Sequence, residues 1–225
     1  MNPRRLTFVA LVLAVTSCSS VPTYLVGGGS DGGVIEAGMD AGAVYDGAPD
    51  GARPCASKPD GGHFLWFLSD GTWNGALYGA SGGVNQVDAK CQQVGRARWP
   101  NTNWKAYFWH HPTDHPSARL IDACEGWWSA PSNGPEYRVF ARRDALSNKP
   151  EGEVNVTENG ESITSGALQI WTGGNEKQAM DRCDNWTSAG GAFGTTGDPE
   201  DKLKWMDQGP RGCDAFAHIY CIEQP

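Results

Sequence analysis

Six cysteines constrain this chain more than any other feature. Cys55, Cys91, Cys124, Cys183, Cys213 and Cys221 all lie in its C-terminal part, 55–225. The N-terminus carries an export signal: Arg4 and Arg5, then an apolar stretch from Leu6 to Val15 that is too short to span a bilayer. An even cysteine set behind such a signal reads as three disulfides, with fifteen pairings open to it. The absence of any Cys-x-x-Cys pair argues against a thiolate zinc site. The same region holds all ten Trp of the chain, and Gly is frequent throughout, at 30 of 225 residues. That combination predicts a rigid aromatic core joined by many loops. No apolar run reaches the ~20 residues of a membrane span.

The signal ends in Val15-Thr16-Ser17-Cys18, which resembles a bacterial lipobox. The resemblance implies cleavage after residue 17 and lipidation of Cys18, so that membrane lipid is the first partner. Several acyl chains hold a protein at a bilayer where one does not. Ser19, rather than Asp, resembles the sorting pattern for the outer membrane. Loss of Arg4 and Arg5 would take the formal charge from −8 to −10. Such a chain has no basic field for anionic lipid or for phosphate backbones, which argues against nucleic-acid binding.

Pro22 to Pro54 is low in complexity: nine Gly, five Ala and four Asp make up 18 of its 33 residues. It shows no helix or strand period and too little apolar surface to offset chain entropy. Its Asp-Gly pairs are irregularly spaced and match no calcium loop. The expected organisation is a signal peptide over 1–17, a lipidated Cys with a Gly/Ala/Asp-rich tether over 18–54, and one folded head over 55–225.

Within the head, His63–Ser69 reads as a strand. Val84, Val87, Cys91 and Val94 share one helix face, with Gly95 as a candidate stop. Trp104–Trp109, Tyr137–Ala141, Ala167–Trp171 and Phe216–Ile222 read as further short strands. The stretch from Asn175 to Asp201 is polar and Gly-rich, with no clear period. The fold class is α+β, with small antiparallel sheets and one or two short helices.

Several of these segments carry a family pattern. Lys204-Trp205-Met206-Asp207, then Cys213, then Ile219-Tyr220-Cys221-Ile222-Glu223, resembles the ending of C-type lectin-like domains. Asp88-Ala89-Lys90-Cys91-Gln92 is similar to the first conserved Cys of that fold. Cys183 before Asn185-Trp186 is similar to the Cys that opens its long-loop bridge. Together with Lys105-Ala106 and Trp171-Thr172-Gly173, these resemble a group of secreted bacterial lipoproteins with a C-type lectin-like or endostatin-like core. The resemblance covers most of 63–224. It implies the pairs Cys91–Cys221 and Cys183–Cys213, which leaves Cys55–Cys124. It also implies that the long loop presents the ligand surface.

Four chemistries compete for this head. Asp181, Asp184, Asn185, Asp198, Glu200, Asp201 and Asp207 are hard oxygen ligands crowded near the long loop, and make Ca²⁺ a structural candidate. The family's Glu-Pro-Asn or Gln-Pro-Asp triplet is absent, however. Met206 also stands where the family has Asn, and thioether sulfur is a poor Ca²⁺ ligand. Aromatic stacking is the second: Trp127 and Trp128 cannot both point inward on a strand, so one of them is a candidate anchor. His110, His111, Asp114 and His115 are the third, a lesser candidate for Zn²⁺ on a loop stiffened by Pro112 and Pro116. Enzymatic chemistry has the least support. The pairing cysteines leave no thiol in the head, and sequence alone does not set Glu151 and Glu153 across a cleft.

The expected function is a lipid-anchored extracytoplasmic binding module for a surface glycan or an extracellular protein. Its ligand candidates are Trp127, Trp128, Asp184, Asn185 and Asp207. The alternatives are an exported metal-dependent enzyme on the His110–His115 loop and a structural envelope lipoprotein. Intact-mass analysis of the mature protein should find a chain that begins at Cys18 and carries acyl mass. An unmodified N-terminus downstream of Cys18 would contradict the lipidation.

Overall fold

The computed structural model describes residues 55–79, 82–111, 115–164, 168–175 and 180–225. The expected signal peptide, the lipidation at Cys18 and the tether to residue 54 lie outside the described residues. The elements are β1 (Cys55–Ala56), β2 (Phe64–Leu68), α1 (Val84–Arg98), β3 (Asn103–Tyr107), β4 (Asp122–Ala123), β5 (Trp127–Ser129), β6 (Tyr137–Phe140), β7 (Ile170–Trp171), β8 (Phe193–Gly197), β9 (Gly209–Gly212) and β10 (Tyr220–Gln224). The result is an α+β domain, rich in short strands and bridged by disulfides.

The main sheet has the order β3-β10-β2-β5-β6. β10 runs antiparallel to both its neighbours, while β2 and β5 are parallel. All five residues of β2, Phe-Leu-Trp-Phe-Leu, are buried, because the sheet is covered on both faces. Alternation divides them. Phe64, Trp66 and Leu68 enter one apolar cluster with Tyr107, Phe140, Trp205 and Tyr220. Leu65 and Phe67 enter a second with Trp104, Trp171 and Trp186, under α1. A strand buried on both faces reads as a continuous apolar run, which is how residues 63–69 stand out in the sequence.

The helix follows its apolar face, burying Val87, Cys91 and Gly95, and runs to Arg98. The expected stop at Gly95 is therefore corrected. A Cβ at Gly95 would lie 2.5 Å from Trp104 Nε1, so this glycine lets the indole approach the helix backbone rather than ending the helix. Asp88 ion-pairs with Arg119 and accepts the Ala106 N–H at 2.9 Å. Gln92 accepts the Trp104 N–H at 2.9 Å, so polar side chains also fasten α1 to β3.

The three disulfides are Cys55–Cys124, Cys91–Cys221 and Cys183–Cys213, the same pairs the family resemblance implies. They join β1 to the segment after β4, α1 to β10, and the two sides of the long loop. That loop is more ordered than its composition predicts. It contains a helical turn at Cys183–Trp186 and β8, which forms the three-stranded sheet β7-β8-β9. β8 reads Phe-Gly-Thr-Thr-Gly and has no apolar alternation. Its glycines are there for contact: a Cβ at Gly197 would fall 1.8 Å from the Trp205 carbonyl oxygen, and one at Gly194 would fall 2.6 Å from Cys183 Sγ.

At the end of β2, buried His218 places Nδ1 2.6 Å from the Ser69 carbonyl. Burial lowers its pKa, and the Ser69 contact and Asp70 only partly offset this. Its contribution to stability is thus present above the usual histidine range and is lost as pH falls through the lowered value. The nearby Glu158 carboxyl is raised by burial, so its contribution runs the other way and is lost as pH rises. The urea midpoint should therefore fall less between pH 7 and pH 5 in His218→Gln than in the wild type. An equal fall in both would remove His218 from the account.

Candidate functional site

The five ligand candidates separate into three places. Trp127 is fully buried in the first cluster and donates from Nε1 to the Glu223 carbonyl at 2.9 Å. Trp128, its neighbour on the other side of β5, is half-buried. The two residues differ in burial as alternation predicts, and the pairing of β5 with β6 shifts register between them.

Trp128 is held in place before any ligand arrives. One face stacks on the His63 ring, with centroids 4.0 Å apart and planes at 11°. Its Nε1–H is donated to the Glu125 carbonyl at 2.8 Å. The indole lines an open cleft of about 710 Å³ with Tyr137, Arg138, Glu151, Glu153 and Lys202. The Glu151–Glu153 loop is docked on β6 by the Glu151 N–H, which is donated to the Val139 carbonyl at 2.8 Å. Gly152 permits this, since a Cβ there would lie 2.4 Å from Tyr137 Cδ2. Arg138 pairs with Glu151 at 2.9 Å, and Lys202 donates to the Glu151 carbonyl. Burial pushes the Tyr137 phenol up to about 12, with Glu153 adding to the effect, so it stays a neutral hydroxyl. His63, Tyr137, Arg138 and Lys202 join the cleft through tertiary contacts that leave no local sequence signal.

Asp184 and Asn185 occupy a second place. They sit exposed on a turn whose four residues all have positive φ: Cys183 at 49°, Asp184 at 54°, Asn185 at 55° and Trp186 at 63°. A left-handed turn costs roughly 1–2 kcal/mol per residue outside glycine. Its ends are over-determined: Cys183 is bridged to Cys213, and buried Trp186 donates Nε1–H to the Trp109 carbonyl at 2.7 Å. The turn borders a polar basin of about 550 Å³ with Arg182 and exposed Phe193.

The remaining acids of the long loop are dispersed. Asp198 accepts from the Glu200 N–H at 2.9 Å and from Gln208 Nε2 at 3.2 Å, and Asp201 accepts the Leu203 N–H at 2.9 Å. Asp207 lies 3.5 Å from Asn175 Nδ2. Met206 is buried, and its carbonyl accepts the Thr172 hydroxyl at 2.6 Å. Among the described residues no group of three or more His, Cys, Asp and Glu is placed to hold a metal ion. His115 Nδ1 is 2.7 Å from Ser117 Oγ, and its ring meets Trp109 edge-on. His111 is exposed, His110 is half-buried, and Asp114 lies outside the described residues.

A third concavity, about 740 Å³, lies where Lys58, Phe64, Trp99, Pro100 and Glu223 meet. It is the more apolar space, but its charged groups serve the fold. Glu223 is buried, pairs with Lys58 at 3.0 Å and accepts the Leu65 N–H at 2.9 Å. Lys58 also donates to the His63 carbonyl at 3.1 Å. No family model matches the chain, and no curated protein matches it either.

Proposed function

We propose that this chain is a lipid-anchored extracytoplasmic binding module with a C-type lectin-like head, which binds a glycan without covalent chemistry at the Trp128 cleft. The lipobox-like Cys18 and the outer-membrane pattern at Ser19 support the anchor and its location. The disulfide pairs and the helix-to-last-strand bridge support the lectin-like assignment.

One observation carries the binding reading. Trp128 is fixed by His63 on one face and has its N–H already satisfied, so it offers a preorganised apolar surface to an open cleft rimmed by polar groups. A sugar ring presents an apolar C–H face and polar hydroxyls, which is the complement of such a site. None of the long-loop acids is among the residues lining the cleft, so this reading makes binding independent of calcium. Exposed Phe193 and Phe216, at 60% and 62% exposure, favour a second reading with an extracellular protein as partner.

On a glycan array, the full chain should bind a defined set of sugars, and Trp128→Ala should lose that binding while EDTA leaves it unchanged. Binding that Trp128→Ala leaves intact would overturn the site. A blank array together with capture of a protein partner lost on Phe193→Ser would replace the glycan reading with the protein one.

A further inference from the structure

The charges around Trp128 say which glycans the cleft can hold. Two cations, Arg138 and Lys202, face two anions, Glu151 and Glu153. Among the described residues Arg138 is the only guanidinium lining this cleft, and its Nε already pairs with the Glu151 carboxylate at 2.9 Å. An acidic sugar would have to displace that carboxylate to gain the forked contact by which Arg recognises acids. Among the described residues the Glu153 carboxylate has no ion pair and no hydrogen bond; only its backbone carbonyl is used, by the Tyr137 hydroxyl at 3.3 Å. Lys202 spends one donor on a backbone carbonyl and pairs with no carboxylate. The cleft therefore keeps one uncommitted acceptor and one uncommitted donor group beside an aromatic surface, with no net charge.

From this we infer that the ligand is an uncharged saccharide. A hydroxyl both donates and accepts, so neighbouring hydroxyls can donate to Glu153 and accept from Lys202 while the ring lies on Trp128. An anionic ligand would meet the free Glu153 carboxylate and the field of a chain with net charge −8. A cationic sugar would meet Lys202. This inference rests on the glycan reading of the Trp128 cleft and narrows it.

The test is calorimetry on the full chain with three probe sets of equal length: neutral hexasaccharides of glucose, mannose and N-acetylglucosamine; a hexauronate; and a hexaglucosamine. At least one neutral probe should bind, with an affinity that changes by less than about twofold between roughly 50 and 200 mM salt. Trp128→Ala should weaken it at least about tenfold, with Trp128→Phe in between as the control for folding. Glu153→Gln and Lys202→Gln should each weaken it several-fold. Glu153→Lys should create hexauronate binding that the wild type lacks. A wild-type protein that prefers the hexauronate or the hexaglucosamine, with salt-sensitive affinity still dependent on Trp128, would overturn the charge inference and leave the cleft standing. No binding to any probe, or binding indifferent to Trp128, would overturn the cleft itself.

Discussion

The last strand carries the architecture. β10 lies between β3 and β2 and gives alternate residues to the two apolar clusters, Tyr220 and Ile222 to one and Cys221 to the other. Through Cys221 it is bonded to Cys91 on α1, a residue 130 positions earlier. Through Glu223 it holds Lys58 and the Leu65 amide, and the Glu223 carbonyl holds the Trp127 indole. Removing this covalent tie would free a long loop in the unfolded chain, which loop entropy values at about 4–5 kcal/mol. It would also remove the covalent hold on the helix that covers one face of the sheet, leaving its packing and its Asp88 and Gln92 bonds to β3. The Trp128 cleft depends on the same strand at one remove, since Trp127 and Trp128 share β5 and the Lys58 bonded to Glu223 also holds the backbone of His63.

The two ends of the molecule solve different problems. The sheet has enough aromatic surface to order itself: Trp66 alone meets Tyr107, Phe140, Trp205 and Tyr220 with ring centroids 5.0–6.1 Å apart. The long loop brings fewer apolar side chains, chiefly Trp186, Trp205 and Met206. Its order comes from the Cys183–Cys213 bridge, from glycines that let backbones approach Trp205 and Cys183, and from buried Trp186, which holds a left-handed turn in place. Rigidity in a segment of that composition keeps Asp184, Asn185 and Phe193 presented at the surface.

Much of the sheet was legible because its central strands, β2 and β10, are buried on both faces. Residues 63–69 read as an apolar run, and the helix face of Val87 and Cys91 read by its period. β8 and β9 were not legible, since Phe-Gly-Thr-Thr-Gly and Gly-Pro-Arg-Gly owe their pairing to close backbone approach and to a disulfide, neither of which leaves a hydropathy pattern. Gly95 misled for a related reason: glycine marks close approach as often as it marks an end. At the site, the Trp127–Trp128 pair signalled one buried and one accessible ring by alternation alone. Tyr137, Arg138 and Lys202 could not be found that way: the pairing of β6 with β5 brings Tyr137 and Arg138 beside Trp128, and Lys202 arrives through its bond to the Glu151 carbonyl.

A cleft built this way works as a fixed surface. Its indole is stacked on one side, its Arg is paired, and its phenol is neutral, so a ligand meets groups already in position. That preorganisation requires a frame that does not breathe. The most direct measurement is therefore the thermal melting of the full chain before and after unfolding, reduction and alkylation of its disulfides. The refolded, alkylated protein should melt at least ~10 °C lower, or show no cooperative transition. An unchanged melting temperature would contradict a disulfide-held frame.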